Sequence, residues 1–232
     1  MFVDTAVESS PVSYRSVSEI NSAMLRVYNN MALAVLTSMI VSLLVSSSAG
    51  LMAFLFTGFM KWIVIFAPLV AVFGVSIALN ANPPKPIALL LLHGFAALMG
   101  LSFATIFVVY TLGSIVSAFM SAAVLFGTMS LYGYFTKKSL ESMGQFMFIG
   151  LIAIVIASII NIFIGSSVMA MVISALAVVI FLGLTAWDTQ RIREEVSVEG
   201  NDNIEVVGAL TLYINFINIF LSLLNLFGNK NE

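Results

Sequence analysis

Few side chains of this sequence could do acid–base or ion chemistry inside an apolar helix, and Asp188 is the clearest of them. It closes a long apolar run in the segment Leu-Thr-Ala-Trp-Asp-Thr-Gln-Arg. A carboxylate at membrane depth is costly and is by default a functional candidate. The competing interpretation is structural: Trp187 indicates an interfacial depth, where Asp188 would pair with Arg191 on the same helix. Position alone favours this second interpretation.

A polar stripe in the last apolar run is the second candidate. Its members recur at alternating steps of three and four, so they share one helical face: Gly208, Thr211, Asn215, Asn218, Ser222 and Asn225. Amides that faced lipid would be left unpaired at high cost. The stripe is therefore expected to face protein or water, which predicts a central last helix. It could line a polar path or hold helices together by hydrogen bonds, and both interpretations stay open.

Residue counts exclude most catalytic classes. The chain has no Cys and one His, so thiolate catalysis, disulfides and His-pair metal sites are excluded. A single membrane aspartate cannot form the proton-sharing pair of an intramembrane aspartyl protease. His93 has no serine-nucleophile motif beside it and is expected to be a hydrogen-bonded core residue. We therefore expect no enzyme activity and no cofactor.

The composition requires a membrane. Of the side chains, 61% are apolar and 9% charged, with a mean hydropathy of +1.11, whereas soluble domains carry about a quarter charged residues. A net charge of −2 provides no basic surface for nucleic acid. Seven runs are long enough to cross a bilayer as helices: 27–47, 62–80, 87–110, 113–135, 144–164, 168–188 and 205–227. The run 51–60 is too short and is expected at the interface, so the fold class is an all-α integral membrane protein with seven spans.

The basic residues predict the orientation. The larger group lies on one side of the predicted spans: Arg15, Arg26, Lys85, Lys137, Lys138, Arg191 and Arg193. Lys61 and Lys230 lie on the other. The positive-inside rule then places the N-terminus in the cytoplasm. Residues 1–26 are expected to form a polar cytoplasmic tail and residues 27–228 one membrane domain. The segment 189–204 is expected to be a charged cytoplasmic loop.

Three motifs resemble the Bax inhibitor-1 family, in its bacterial inner-membrane branch. They are Met-Ser-Leu-Tyr-Gly-Tyr at 129–134 followed by Thr-Lys-Lys, Gly-Leu-Thr-Ala-Trp-Asp-Thr-Gln at 183–190, and Gly-Ala-Leu-Thr-Leu-Tyr-Ile-Asn-Phe-Ile-Asn at 208–218 with Phe-Gly at 227–228. The resemblance covers nearly the whole chain from about Tyr28. It implies six helices around a central seventh, and a calcium-permeable leak channel whose opening depends on pH.

The resemblance also implies a gate, from which this chain departs. The family's sensor is a pair of carboxylates near the cytoplasmic mouth that share a proton, and an arginine after the second span helps to hold the closed form. Asp188 matches the first carboxylate, but Asn215 stands at the second, and only Lys85 or Arg191 could supply the basic group. An Asp–Asn pair has one titrating group, because an amide does not titrate. The amide can donate to ionised Asp188 or accept from protonated Asp188, so the pair can stay closed in either state.

We therefore expect altered or weak pH gating and weaker attraction for Ca²⁺, with a polar path along Thr211, Asn218, Ser222 and Asn225. Asp188 could contact Ca²⁺, but no metal site is assigned. The alternative is a non-conducting regulator of membrane protein quality control or stress. Some bacterial relatives resemble modulators of membrane proteases, and the tail 1–26 would be the natural contact. A proton-coupled transporter is less supported, because no pair of broken helices marks a substrate site.

Overall fold

The computed structural model describes residues 14–198 and 203–231. Within them the chain forms α1 (Val17–Ser46), α2 (Ala49–Phe56), α3 (Met60–Asn80), α4 (Lys85–Phe103), α5 (Ile106–Val109), α6 (Leu112–Phe135), α7 (Glu141–Ile164), α8 (Ser167–Glu195) and α9 (Ile204–Phe227). Seven helices are long and apolar enough to cross a membrane, with α4 and α5 together forming one of them. In the described ranges, β structure is limited to two isolated bridges. The all-α, seven-span class is confirmed.

The first long helix begins ten residues before the predicted span. Ser16 caps α1: its Oγ accepts from the Glu19 backbone N–H at 3.4 Å, and the Glu19 carboxylate accepts from the Ser16 N–H at 2.7 Å. This reciprocal pair satisfies two backbone donors and sets the start of the helix. Residues 17–26 of the expected polar tail are therefore helical, and residues 1–13 lie outside the described ranges.

The sixth long helix, α8, continues past the predicted end of its span at Asp188 to Glu195. Two ion pairs within the helix support the extra turns, one between buried Asp188 and Arg191 at 3.1 Å and one between Arg191 and Glu195 at 3.8 Å. Pairs at these spacings stabilise a helix. Residues 189–195 of the expected loop 189–204 are thus helical, and the connection that remains includes residues 199–202, which lie outside the described ranges.

The last helix is the most buried. In an apolar stretch of 18 residues within α9, 67% of the residues are buried. The corresponding share is at most 33% in each of the other candidate spans. α9 packs against α1, α4, α6 and α8, while α3 packs mainly on α4 and α2, and α7 on α8. A central α9 agrees with the stripe argument, but a ring of all six other spans around it is not confirmed.

The connections gather at two ends of the bundle. One end, which we call the N-terminal end, carries the segments 14–16, 81–84, 136–140 and 196–198. There the Arg15 N–H donates to the Ser197 carbonyl at 2.8 Å. At the opposite, C-terminal end, the residues after α9 bind the turn between α5 and α6. There Thr111 N–H donates to the Asn229 carbonyl at 3.0 Å, and Asn231 N–H to the Val109 carbonyl at 2.9 Å. The last residues of α8 and the first of α9 belong to the N-terminal end.

Candidate functional site

Asp188 and Asn215 touch, deep between α8 and α9. The Asn215 Nδ2 donates to Asp188 Oδ2 at 2.8 Å. The two residues are 5% and 4% exposed. Arg191 Nη2 lies 3.1 Å from the other carboxylate oxygen, Oδ1. The cross-helix pair and the same-helix ion pair thus coexist, one on each oxygen.

Arg191 lies between this buried carboxylate and the surface. Its guanidinium carbon is 5.0 Å from the Trp187 ring centroid, an arrangement that favours a cation. Its Nε is buried and has no hydrogen-bond partner among the described residues, and Glu195 Oε1 lies 3.8 Å from it. Its side chain is 41% exposed. Arg191 is therefore the basic group next to Asp188.

Lys85, the other basic candidate, belongs to a different ion pair. Its Nζ lies 2.9 Å from Glu205 Oε2, at the first turn of α9. Arg26 binds the other oxygen of Glu205, with Nη2 at 2.7 Å and Nε at 2.8 Å. Sequence reasoning gave Glu205 no role. The available signal was an acid in the first turn of an otherwise apolar helix.

Two glycines, Gly133 in the first motif and Gly144 outside the motifs, allow close packing beside Asp188. A Cβ on Gly133 of α6 would overlap the carbonyl oxygen of Ala186, and a Cβ on Gly144 of α7 would overlap the Trp187 ring. Both neighbouring helices therefore approach α8 closely, just before Asp188. Only glycine permits such contact, as small residues generally do between membrane helices.

The two residues after Asp188 anchor α8 to its surroundings. Thr189 Oγ1 is 3.0 Å from Ser130 Oγ, which is 2.6 Å from the Tyr28 hydroxyl. This chain of hydroxyls joins α8, α6 and α1. Gln190 binds the α6–α7 connection, accepting from the Leu140 N–H at 2.8 Å and donating to the Lys138 carbonyl at 2.9 Å. Ser130 and Gln190 stand in the recognised motifs, but sequence reasoning gave neither a partner.

The polar stripe of α9 faces α8. Asn215 binds Asp188, and Asn225 Nδ2 donates to Ser174 Oγ at 2.7 Å, farther along α8. A Cβ on Gly208 would lie 2.9 Å from Ile192, at the other end of the same contact. Gly208 and Asn215 are buried, whereas Thr211 and Asn218 are half-buried and Asn225 is exposed. The stripe therefore lies against protein fully at Gly208 and Asn215 and only in part elsewhere.

The other stripe members bind within their own helix or are partly buried. Thr211 Oγ1 donates to the Val207 carbonyl at 3.1 Å, and Asn218 Nδ2 donates to the Ile214 carbonyl at 2.8 Å. Ser222 is half-buried. Hydrogen bonds between α8 and α9 therefore come from two of the stripe's residues, Asn215 and Asn225.

Metal ligands and the single histidine complete the inventory. Among residues 14–198 and 203–231, no group of three or more His, Cys, Asp or Glu side chains could hold a metal ion. His93 Nδ1 lies 3.0 Å from Thr37 Oγ1, so this histidine links α4 to α1. His93 is therefore a packing residue that forms a hydrogen bond with a neighbouring helix.

Comparison with known proteins extends these observations over the whole chain. The family model described as "Inhibitor of apoptosis-promoting Bax1" matches residues 20–232. Inner membrane protein YbhL of Escherichia coli (strain K12) is 36% identical over 217 residues, covering 91% of this chain and 93% of that protein. An uncharacterized protein of Rickettsia prowazekii is 37% identical over 216 residues, 90% of each chain. One from Deinococcus radiodurans is 34% identical over 222 residues, 94% of each.

These matches agree with the three motifs, which form the contacts around Asp188 and Asn215. The seven apolar helices and the inner-membrane relative together support a multi-pass protein of the inner membrane. With a family match that spans nearly all of its length, this chain belongs to the Bax inhibitor-1 family of membrane proteins.

Proposed function

We propose that this protein is a passive cation leak channel of the bacterial inner membrane, that Ca²⁺ is a permeant ion, and that its N-terminus is cytoplasmic. Its gate is the Asp188–Asn215 pair, and its response to pH is weaker than that of a two-carboxylate gate. The supporting observation is the 2.8 Å hydrogen bond from the Asn215 amide to buried Asp188. In this proposal the protein has no catalytic site and uses no cofactor.

The weak pH response follows from the hydrogen-bonding capacity of the amide. Ionised Asp188 receives one donor on each oxygen, from Asn215 and from Arg191. When Asp188 is protonated, the amide can rotate and accept the new O–H through its own oxygen. The pair can therefore stay bonded in both states. A single carboxylate also takes up one proton, whereas two coupled carboxylates would titrate together.

The weak attraction for Ca²⁺ follows from charge. A calcium ion prefers several oxygen ligands, with carboxylates among them. Here one carboxylate of the pair is replaced by an amide, and Arg191 neutralises the other at 3.1 Å. A mouth without net negative charge concentrates divalent cations poorly. We therefore propose a low leak rate with little preference for Ca²⁺ over monovalent cations.

The conformation described is the closed one in this proposal. Two features support a closed state: Asp188 is buried, and aromatic rings fill the contact between α6 and α9. Phe216 packs edge-on against Phe119 and Phe126, with ring centroids 5.4 Å and 5.7 Å apart. Opening would require α9 to move relative to α6 and α8, which would separate these rings and the Asp188–Asn215 pair.

The test is ion flux in liposomes that contain the purified protein and a Ca²⁺-sensitive dye, measured against pH. For the wild type we expect a slow flux that follows at most a one-proton curve. Asn215→Asp should steepen the curve toward two protons, because it supplies the second titrating group. Asp188→Asn serves as the control and should abolish the pH response of the pair. A steep two-proton curve already present in the wild type would contradict the proposal.

A non-conducting regulator, for example a modulator of a membrane protease, is the second candidate. The observation that favours it is the full occupation of Asp188 by Arg191 and Asn215, which leaves no carboxylate oxygen of this pair without a partner. Flux equal to that of protein-free liposomes, in both the wild type and Asn215→Asp, would support this candidate over the channel.

A further inference from the structure

A polar cavity of about 540 Å³ opens at the N-terminal end, away from the Asp188–Asn215 pair. It lies between the start of α1, the turn that precedes α4 and the first turn of α9. Its charged lining consists of Arg15, Arg26, Lys85 and Glu205, and the prolines of the turn complete its wall. Neither the proposed gate nor the proposed pH response uses this cavity.

Glu205 positions two of the cations. Its carboxylate is 6% exposed, and Arg26 and Lys85 each bind one of its oxygens within 3 Å, while they themselves remain 49% and 46% exposed. Within the part of the chain that the structure describes, Arg26 Nη1 and two of the three N–H bonds of Lys85 have no acceptor and could bind other groups. A single buried carboxylate thus holds two half-exposed cations from different helices side by side.

The side chains of residues 14–198 and 203–231 that line the cavity do not balance its charge. Three cations face one carboxylate in its lining, an excess of two positive charges. Glu19 lines an adjoining hollow with Arg15 and Arg26, but its carboxylate accepts hydrogen bonds from Ser16 at 2.6 and 2.7 Å. Even if Glu19 is counted, one positive charge remains. The cavity therefore favours an anion.

Phosphate is the anion that fits this set of donors. Guanidinium groups bind phosphate oxygens through paired N–H donors, and a lysine ammonium adds a point charge. The cavity also lies where two spans begin, since Lys85 is the first residue of α4 and Glu205 the second of α9. Span ends are level with lipid headgroups, and basic pockets between helices there bind anionic ones.

Apolar surface for an acyl chain lies beside the cavity. Ile77, near the end of α3, is 72% exposed, and Ile87, at the start of α4, is 48% exposed. Both flank the turn that forms the cavity wall. A phospholipid could thus place its phosphate in the cavity and its chains on these helices.

We propose that this cavity binds a phosphate group through Arg15, Arg26 and Lys85, with Glu205 as the positioning residue. The phosphate could be that of an anionic phospholipid headgroup or a free phosphate. This inference is independent of ion conduction, because it concerns a different cavity and a different set of side chains.

The test is native mass spectrometry of the full-length protein in detergent, titrated with phosphatidylglycerol, phosphatidylcholine or inorganic phosphate. We expect the wild type to bind phosphatidylglycerol about tenfold more tightly than phosphatidylcholine, the difference that one or two charge-assisted hydrogen bonds produce. Arg15→Gln and Lys85→Gln should each remove most of that preference. Lys137→Gln removes the same charge from an exposed site at the same end, outside the cavity. This control should keep the preference.

The arms of the experiment distinguish the two sources of phosphate. Displacement of phosphatidylglycerol by millimolar inorganic phosphate would identify a free-phosphate site, whereas lipid binding that resists phosphate would identify a headgroup site. Arg15→Gln leaves both ion pairs of Glu205 intact, so it tests the cavity even if Lys85→Gln does not fold. Equal binding of both lipids without binding of phosphate would overturn the proposal. An equal loss in Lys137→Gln would also overturn it.

Discussion

At single residues, the presence of Asn215 opposite Asp188 determines how the proposed gate would respond to pH. Asn215 keeps the shape of an aspartate but supplies a donor, and its amide lies 2.8 Å from Asp188. Arg191 compensates the remaining charge from the same helix. The pair is satisfied by hydrogen bonds without a shared proton, so its stability does not depend on a second titrating group.

Glu205 is the second buried carboxylate whose partners the structure identifies, and its loss should be felt in stability. Glu205→Gln removes the charge that holds Arg26 and Lys85 together. Because both cations are about half exposed, we expect a loss of about 1–2 kcal/mol, well below the cost of breaking a fully buried pair. This corresponds to a drop in Tm of roughly 2–8 °C. Thermal unfolding in detergent measures it.

The matched control for this prediction is Glu194→Gln. Glu194 is exposed at the end of α8 and lies near the same end of the bundle. Its substitution changes the net charge equally and should leave the Tm unchanged. Equal Tm values for the two variants would show that the ion pairs of Glu205 add nothing to stability.

At the scale of elements, the contact between α8 and α9 organises the site. The polar stripe of α9 lies along α8, and hydrogen bonds cross this contact at Asn215 and Asn225. Glycines at 133 and 144 bring α6 and α7 against α8 beside Asp188. Close packing of α6, α7 and α9 against α8 therefore sets the position of Asp188.

The three asparagines of α9 should differ in their contribution to stability. Asn215→Leu leaves a buried oxygen of Asp188 without its donor and should cost about 1–3 kcal/mol. Asn225→Leu removes one hydrogen bond between helices and should cost about 0.6 kcal/mol. Asn218→Leu should cost least, because that amide binds a carbonyl of its own helix. Denaturant unfolding in detergent ranks the three, and equal losses would contradict this assignment of roles.

Gly133 should tolerate no larger residue. In Gly133→Ala the added Cβ meets the Ala186 carbonyl oxygen, and such overpacking costs about 1–3 kcal/mol. Gly127→Ala is the control on the same helix. Apart from the chain neighbours and the backbone of the same helix, no heavy atom of the described residues lies within 4 Å of a Cβ at that position. The variant should therefore be neutral or gain up to about 1 kcal/mol from helix propensity. Thermal unfolding compares them, and a stable Gly133→Ala would mean that α6 and α8 can separate freely.

At the scale of the whole molecule, charge is segregated between the two ends of the bundle. The N-terminal end carries the ion pairs of Glu205 and the contact of Arg193, whose Nη1 donates to the Tyr134 carbonyl at 3.0 Å. Lys61 begins α3 at the other end, where the residues after α9 bind Thr111. This asymmetry is the one that predicts a cytoplasmic N-terminal end.

The orientation can be tested directly because the chain has no native cysteine. We expect Lys61→Cys to react with a membrane-impermeant maleimide in intact spheroplasts. Lys137→Cys should react only after lysis, since the end with more basic residues stays in the cytoplasm. The opposite labelling pattern would reverse the proposed orientation and would place the phosphate cavity in the outer leaflet.

The class of fold and the number of spans can both be predicted from hydropathy. Seven apolar runs carry that information, because each helix must satisfy its backbone in lipid regardless of its neighbours. The cost of leaving an amide unpaired in hydrocarbon predicts the buried position of Asn215, but it does not predict the exposure of Asn225. Span ends were less accurate: α1 began early at the Ser16 cap and α8 ran on to Glu195, both through polar contacts that hydropathy does not register.

Which polar side chains contact one another can be seen only in the tertiary structure. Asp188 and Asn215 are 27 positions apart, and Lys85 and Glu205 are 120 apart. Their pairing depends on how α4, α8 and α9 pack, which the residues of one helix do not encode. For the same reason Lys85, a candidate partner of Asp188 by its place in the sequence, was found beside Glu205 instead.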